Sequence, residues 1–356
     1  MNGIRRYSNE IVLVAVSSLF GVIITLLAAE VYFWIKSRHE WVAPLTQFDA
    51  ELGWANVPAA STVYNRITYT INSQGLRSPE INPGQTHIVV AGDSVAYGSP
   101  VNDDETLSHY LGQLRPEHQV LNLGVAGYSL DQYYLALRRH LPKTRPAAVV
   151  VVIFPTNDWV ETGQNHMYGV SKPYFEIQGE QLVQERQSLS LLSCGNVISR
   201  SRILEMLSMR DIKYKLCNLK FTPKSELAQL NASLLTKIKI LSDEYRVPLL
   251  FVLSPSMEAV KYYACVLQGN PEERCNHMLD SGFALLYSFF EKTLRSLNDP
   301  YLDLIDEILS RVHVADLDKI YAKGGKDPHH FSPLGNRLVA EAIHQRLTPS
   351  LHAGAD

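Results

Sequence analysis

Residues Ala147 to Phe154 contain the run Val149-Val150-Val151-Val152-Ile153-Phe154, in which no position is polar. A strand with one wet face alternates apolar and polar side chains, whereas one buried on both faces does not. Such strands belong to parallel sheets covered by helices on both sides. Parallel neighbours need a crossover between them, so this run predicts strand–helix repeats elsewhere. They are present. Ile88–Ala91, Val120–Leu123, Pro248–Leu253 and Tyr301–Ile305 read as strands. Helical patterns cover Thr106–Leu114, Ser129–His140, Ser225–Tyr245, Met278–Leu297 and Pro333–Leu347. The expected fold class is α/β with a mostly parallel sheet. Right-handed crossovers would put the carboxyl ends of its strands on one rim, where ligands bind.

Ile11 to Ala29 carries no charge, and Val31 to Ile35 continues the apolar run past Glu30. That stretch is long enough to cross a bilayer. Tyr32, Phe33 and Trp34 sit where an interfacial aromatic belt is expected, and Lys36 and Arg38 follow. A cleavable signal peptide is the competing reading, but the apolar run is long for one and Leu27-Ala28-Ala29 is a poor cleavage site. The expected layout is a short tail at 1–10, a membrane anchor at 11–35 and an extension at 36–85. A catalytic domain follows at 86–350, with an insertion at about 159–224. Arg5 and Arg6 before the span nearly balance Lys36 and Arg38 after it, so orientation rests on the usual arrangement of a single amino-terminal anchor. The large domain is expected outside the cytoplasm, periplasmic in a Gram-negative cell.

A formal net charge of -3 supplies no basic field, so nucleic acid is not an expected partner. The four cysteines, Cys194, Cys217, Cys265 and Cys275, form no Cys-x-x-Cys pair and give no zinc signature. The sequence-local pairing, Cys194–Cys217 and Cys265–Cys275, is the favoured one in an oxidising compartment. Within the extension, Val63 to Asn72 alternates and reads as one strand closed by a turn at Gly75. The extension is expected to set the distance of the main domain from the membrane and to carry no chemistry.

Four strand-end loops hold the polar residues: Gly92-Asp93-Ser94, Asn122 to Tyr128, Pro155-Thr156-Asn157-Asp158, and Asp327 to Gly335. A serine hydroxyl needs a base to become a nucleophile, and an imidazole backed by a carboxylate supplies one. Asp327 and His330 are spaced to be that pair. The Ser94 amide, the Gly127 amide and the Asn157 side chain are the donors available to a developing oxyanion. Each signal alone has a plain reading, as a turn or a helix cap, and Asp327 with His329 and His330 could be a metal pair. Their joint order carries the argument.

That order resembles the four blocks of the SGNH (GDSL-type) hydrolases, over roughly Thr86 to Leu347. The resemblance implies a flavodoxin-like three-layer α/β/α fold and no metal or organic cofactor. It implies Ser94 as nucleophile, His330 as base with Asp327 behind it, and Ser94, Gly127 and Asn157 as the oxyanion hole. One departure is Pro155, where the family's third block usually has glycine. A looser likeness, in anchor, extension and the Lys172-Pro173-Tyr174-Phe175 insertion, is to bacterial envelope proteins associated with O-acylation of cell-surface polysaccharides. It implies an ester or acylated-glycan substrate and a membrane acyl-donor protein as a further partner. It leaves open an esterase, an O-acyltransferase or a glycan-binding module on the same fold. In the insertion, Trp159, His166, Tyr168 and Tyr174 are expected either to stack on a sugar or to form a lid's own small core. Lys172–Ile177 and Gln181–Val183 flank Gly179 like a hairpin. Asn231-Ala232-Ser233 matches a glycosylation acceptor but falls in a helical pattern.

Overall fold

The computed structural model describes residues 2–37, 45–168, 170–179, 181–185, 220–271, 275 and 283–352. Helix α1 (Asn2–Ser37) opens the chain. Its segment Val12–Tyr32 is long and apolar enough to cross a membrane, and none of it is buried by the protein. Two antiparallel hairpins follow, β1 (Thr46–Asp49) with β2 (Gly53–Asn56) and β3 (Ser61–Tyr64) with β4 (Ile67–Thr70). The alternating stretch expected as one strand is therefore folded back on itself. Asn65 and Arg66 both take positive φ, 51° and 66°, as a two-residue turn between right-twisted strands requires.

The core sheet is built from β5 (Thr86–Ala91), β6 (His118–Asn122), β7 (Ala148–Ile153), β12 (Leu249–Leu253) and β13 (Tyr301–Asp303), with lateral order β13-β12-β7-β5-β6. All four pairings are parallel. Every residue of β7, the middle strand, is 0% exposed, which is why its sequence shows no alternation. Burying one such aliphatic side chain contributes about 1.5–3 kcal/mol.

The intervening elements are α2 (Ser94–Tyr97), α3 (Leu107–Leu114), α4 (Leu130–Thr144), α5 (Pro155–Glu161), the short pair β8 (His166–Met167) and β9 (Val170–Ser171), the hairpin β10 (Phe175–Gln178) and β11 (Gln181–Gln184), and α6 (Lys224–Glu244). After β12 come α7 (Met257–Leu267) and α8 (Phe283–Ser296), and after β13 come α9 (Leu304–Arg311), α10 (Leu317–Ile320), the pair β14 (Tyr321–Ala322) and β15 (Asp327–Phe331), and α11 (Pro333–His352). Right-handed crossovers from β5 to β6, and then back past β5 to β7, β12 and β13, put α3 on one face and α4, α6 and α8 on the other. The packing agrees: α11 lies on α3 and α9, while α4 and α5 lie on α6 and α5 on α8. The result is a three-layer α/β/α molecule in which the strand first in sequence lies between the second and the third. Its topological switch point is the crevice between β5 and β7, the place where such sheets bind ligands.

The expected strand Tyr301–Ile305 ends two residues early because Asp303 caps α9, its side chain accepting from Ile305 N at 2.8 Å. Of the expected helix Met278–Leu297, the part before Phe283 lies outside the described residues. The same holds for the Cys194–Cys217 pairing. Cys265 and Cys275 are joined as a disulfide, with Cα atoms 5.8 Å apart. Asn231 is buried in α6, its Nδ2 donating to Trp159 O and Leu227 O, and is closed to glycosylation.

Candidate active site

Ser94 is the first residue of α2, directly past the carboxyl end of β5. Asp93 caps this single turn by accepting from Val95 N at 2.8 Å. A side chain at Gly92 would meet Val152 O at 2.9 Å and the Ala96 methyl at 2.6 Å. Only glycine lets β5 turn this tightly against β7.

At the other end of the sequence, β15 pairs antiparallel with β14 around the left-handed residues Lys323, Gly324 and Gly325. Asp327 and His330 therefore sit on a strand rather than a free loop. His330 Nδ1 lies 2.9 Å from Asp327 Oδ1, and His330 Nε2 lies 2.8 Å from Ser94 Oγ. With the proton on Nδ1, His330 donates to the carboxylate and accepts from the serine hydroxyl. Burial raises the Asp327 carboxyl pKa, but the hydrogen bond and charge of His330 and the Lys323 ammonium outweigh it, and the net shift is downward. Asp327 is thus ionised wherever a neutral imidazole exists. His329 points elsewhere, its ring edge-on to Phe154 at 5.7 Å.

The switch-point crevice brings in the third block. Pro155 occupies the first turn of α5, behind Phe154 at the cap position. Proline is well suited there, having no N–H to leave unpaired and a φ already helical. The departure from glycine thus leaves Asn157 in the first turn, with Nδ2 3.5 Å from Asp93 Oδ2. Gly127 has φ 79°, a left-handed conformation that a side chain would strain. Asp93 and Asp158 are both fully buried behind this rim, and Asp158 Oδ2 accepts from Phe154 N at 2.9 Å. Burial pushes Asp93 up to about 6. Burial, and then the neighbouring Asp93 charge, raise Asp158 well above the carboxylate range.

Beneath the rim lies a lysine that sequence reasoning missed. Lys172 is 0% exposed. Its ammonium lies 2.8 Å from Asp131 Oδ2 and donates to Ser129 Oγ at 2.8 Å and Glu161 O at 2.7 Å. It ties the start of α4 to the end of α5, where a cation also complements the helix dipole. Glu161 is pushed up to about 8 by burial, against the Lys172 charge and with the Asp93 and Asp131 charges adding to the rise. A carboxyl whose folded pKa exceeds its unfolded one binds extra protons in the native state, so this group's contribution falls as pH rises from about 4.5 to about 8. Glu161→Gln is expected to raise the melting temperature over wild type by a margin that grows across that window and is flat above it. A margin independent of pH in calorimetric scans would refute the assignment.

The insertion aromatics divide. Trp159 packs edge-on against Phe289 at 4.8 Å, and Tyr174 is buried with its hydroxyl 3.1 Å from Thr222 Oγ1. These two contribute to internal packing. Tyr168 is 43% exposed and meets Trp54 edge-on at 5.9 Å, and His166 pairs with Ser171 in the β8–β9 ladder. The expected hairpin around Gly179 is present as β10–β11. A cleft of about 610 Å³ lies between Arg77, Pro79 and α3, and none of the rim residues lines it. Among the described residues no group of three or more His, Cys, Asp or Glu side chains is placed to hold a metal ion.

No family model matches the chain, and no curated protein sequence does. Solved structures similar to it include a member of the lipolytic protein G-D-S-L family from Veillonella parvula, 12% identical over 74% of this chain and 98% of that one, with a TM-score of 0.41. A lipase/acylhydrolase from Enterococcus faecalis is 14% identical over 75% and 97% of the two chains, TM-score 0.41. A catalytic mutant of an acetylxylan esterase from Geobacillus stearothermophilus is 14% identical over 76% and 96%, TM-score 0.37. The sheet order agrees with the three-layer α/β/α fold expected from the sequence, and His330 lies hydrogen-bonded between Ser94 and Asp327 at one rim.

Proposed function

We propose that the chain is a membrane-anchored serine esterase that cleaves ester bonds, O-acetyl groups on carbohydrate foremost, through an acyl-enzyme on Ser94. The observation that carries this reading is the pair of contacts at His330, 2.8 Å to Ser94 Oγ and 2.9 Å to Asp327 Oδ1. In the first step Ser94 Oγ attacks the ester carbonyl carbon while its proton passes to His330 Nε2. Asp327 steadies the imidazolium that results. The oxyanion takes donors from the Ser94 amide, the Gly127 amide and Asn157 Nδ2. His330 then gives its proton to the departing alcohol, and a water activated by the same imidazole releases the acid. The apolar helix supports anchoring, and the Cys265–Cys275 disulfide supports an oxidising, extracytoplasmic compartment.

A fluorophosphonate probe tests the reading. The wild-type chain in detergent is expected to label, and Ser94→Ala to lose both labelling and turnover of p-nitrophenyl acetate. Full activity of Ser94→Ala would sink it, and a wild-type chain that neither labels nor turns over the ester would favour a glycan-binding module. Acetate release measured with and without an added glycan acceptor separates esterase from O-acyltransferase. Asn157→Ala is expected to lower kcat by about 10²–10³-fold, the size of one lost oxyanion donor. A change under about threefold would remove Asn157 from the site.

A further inference from the structure

The extension before the sheet reaches the peptide unit that carries the Gly127 amide and the carbonyls that follow Ser94 on its turn. Trp54, on β2 and 5% exposed, donates from Nε1 to Ala126 O at 3.1 Å. That carbonyl belongs to the same planar peptide unit as the Gly127 N–H, so fixing one end of the plane fixes the other. A hydrogen bond accepted by the carbonyl also polarises the unit and strengthens its N–H as a donor. Tyr128 returns the contact, its hydroxyl donating to Trp54 O at 2.6 Å.

Arg77 does the corresponding work on the Ser94 turn. A single helical turn cannot hold itself in water, and its last carbonyls have no partner within it. Arg77 is 3% exposed and donates to Tyr97 O at 3.2 Å, Gly98 O at 2.9 Å and Val101 O at 2.7 Å. Its remaining bonds go to Thr68 O on β4 and to Asp103 Oδ1. The guanidinium also lies 4.4 Å from the ring centre of Tyr69 and 4.9 Å from that of Tyr97. A planar fork with five donors can bind this many carbonyls at once, and an ammonium cannot.

We infer that the β1–β4 extension is a working part of the active site, with Trp54 positioning the Gly127 amide and Arg77 positioning the turn that carries Ser94. The inference rests on the proposed Ser94 chemistry. Both are positioning residues, because neither touches the reacting atoms.

The test uses the full chain in detergent, the fluorophosphonate probe and p-nitrophenyl acetate. Two quantities are read: the final labelled fraction, and the rate constant per labelled serine. Trp54→Phe keeps the ring but loses the N–H, and Arg77→Lys keeps the charge but loses the fork. For Trp54→Phe the rate per labelled serine and kcat are expected to fall at least threefold. For Arg77→Lys they are expected to fall at least tenfold, with KM within twofold of wild type in both. A merely structural role would lower the labelled fraction and leave the rate per serine unchanged, and that result in either variant overturns the inference for its residue. Should Arg77→Lys fail to fold, Arg77→Ala with added methylguanidinium replaces it, and absence of rate recovery there counts against Arg77. A wild-type chain that does not label at all refutes the Ser94 chemistry instead, which separates the two failures.

Discussion

Replacing His330 by alanine is expected to lower ester turnover on the order of 10⁴- to 10⁶-fold, as large an effect as Ser94→Ala. The size follows from the geometry. Among the described residues the base hydrogen-bonded to Ser94 Oγ is His330, 2.8 Å away, and without it the hydroxyl must attack while still holding its proton. Because serine and histidine act as one unit, the double variant Ser94→Ala/His330→Ala is expected to be no slower than either single one. Asp327→Asn is expected to cost less than His330→Ala, since it spoils the tautomer and the charge partner but leaves the base. Stopped-flow assays of p-nitrophenyl acetate resolve all four proteins. If His330→Ala retained more than a hundredth of wild-type turnover, the proton would be leaving Ser94 by another route.

The second large effect is on stability. Lys172→Met is expected to destabilise the protein by about 3–5 kcal/mol, because it strands the fully buried Asp131 carboxylate without a counter-charge. Truncation also removes the donors to Ser129 Oγ and Glu161 O, so the joint between α4 and α5 loosens with it. The sign of the pH effect is fixed by the same charge. Lys172 lowers the carboxyls of Asp131 and Glu161 against the upward push of burial. Without it both rise further, the native state holds more protons, and the deficit grows as pH increases. Chemical denaturation at pH 5 and pH 9 measures this. The double variant Lys172→Met/Asp131→Leu is expected to recover most of the loss, since a buried pair replaced by apolar groups is often neutral. No recovery would place the cost in packing.

The blocks proposed to be catalytic were legible from sequence because each is local. A β-strand announces itself by its run of apolar residues, and the polar residues just past it must lie at the sheet's carboxyl rim. Gly92-Asp93-Ser94 and Asn157-Asp158 are weak signals singly, and their order along the chain together with Gly127, Asp327 and His330 gave them meaning. Asp327 and His330 were picked out by their spacing and by the resemblance of that block to the family pattern, although the backbone between them is extended in β15 rather than looped. What escaped were pairs whose meaning is tertiary. Lys172 opens the expected hairpin arm Lys172–Ile177, which says nothing of its burial, and its partner Asp131 is 41 positions away. Arg77 and Trp54 sat in a segment assigned no chemistry, because nothing in Trp54-Ala55-Asn56 announces a contact with Ala126. The hairpin turn at Asn65-Arg66 was hidden by alternation that continues through it, and only the positive φ values reveal the reversal.

With the proposed membrane anchor, the placement of Trp54 and Arg77 has a consequence for shedding. Cleavage by a protease amino-terminal to Leu45 would free a body that keeps both residues and the hairpins that present them. Cleavage between Ser78 and Thr86 would instead leave them with the amino-terminal stub and release a sheet whose serine turn has lost its clasp. The same distinction governs where a soluble form of the enzyme can begin. A start near Leu45 retains the site, whereas a start at Thr86, where the first core strand begins, discards part of it.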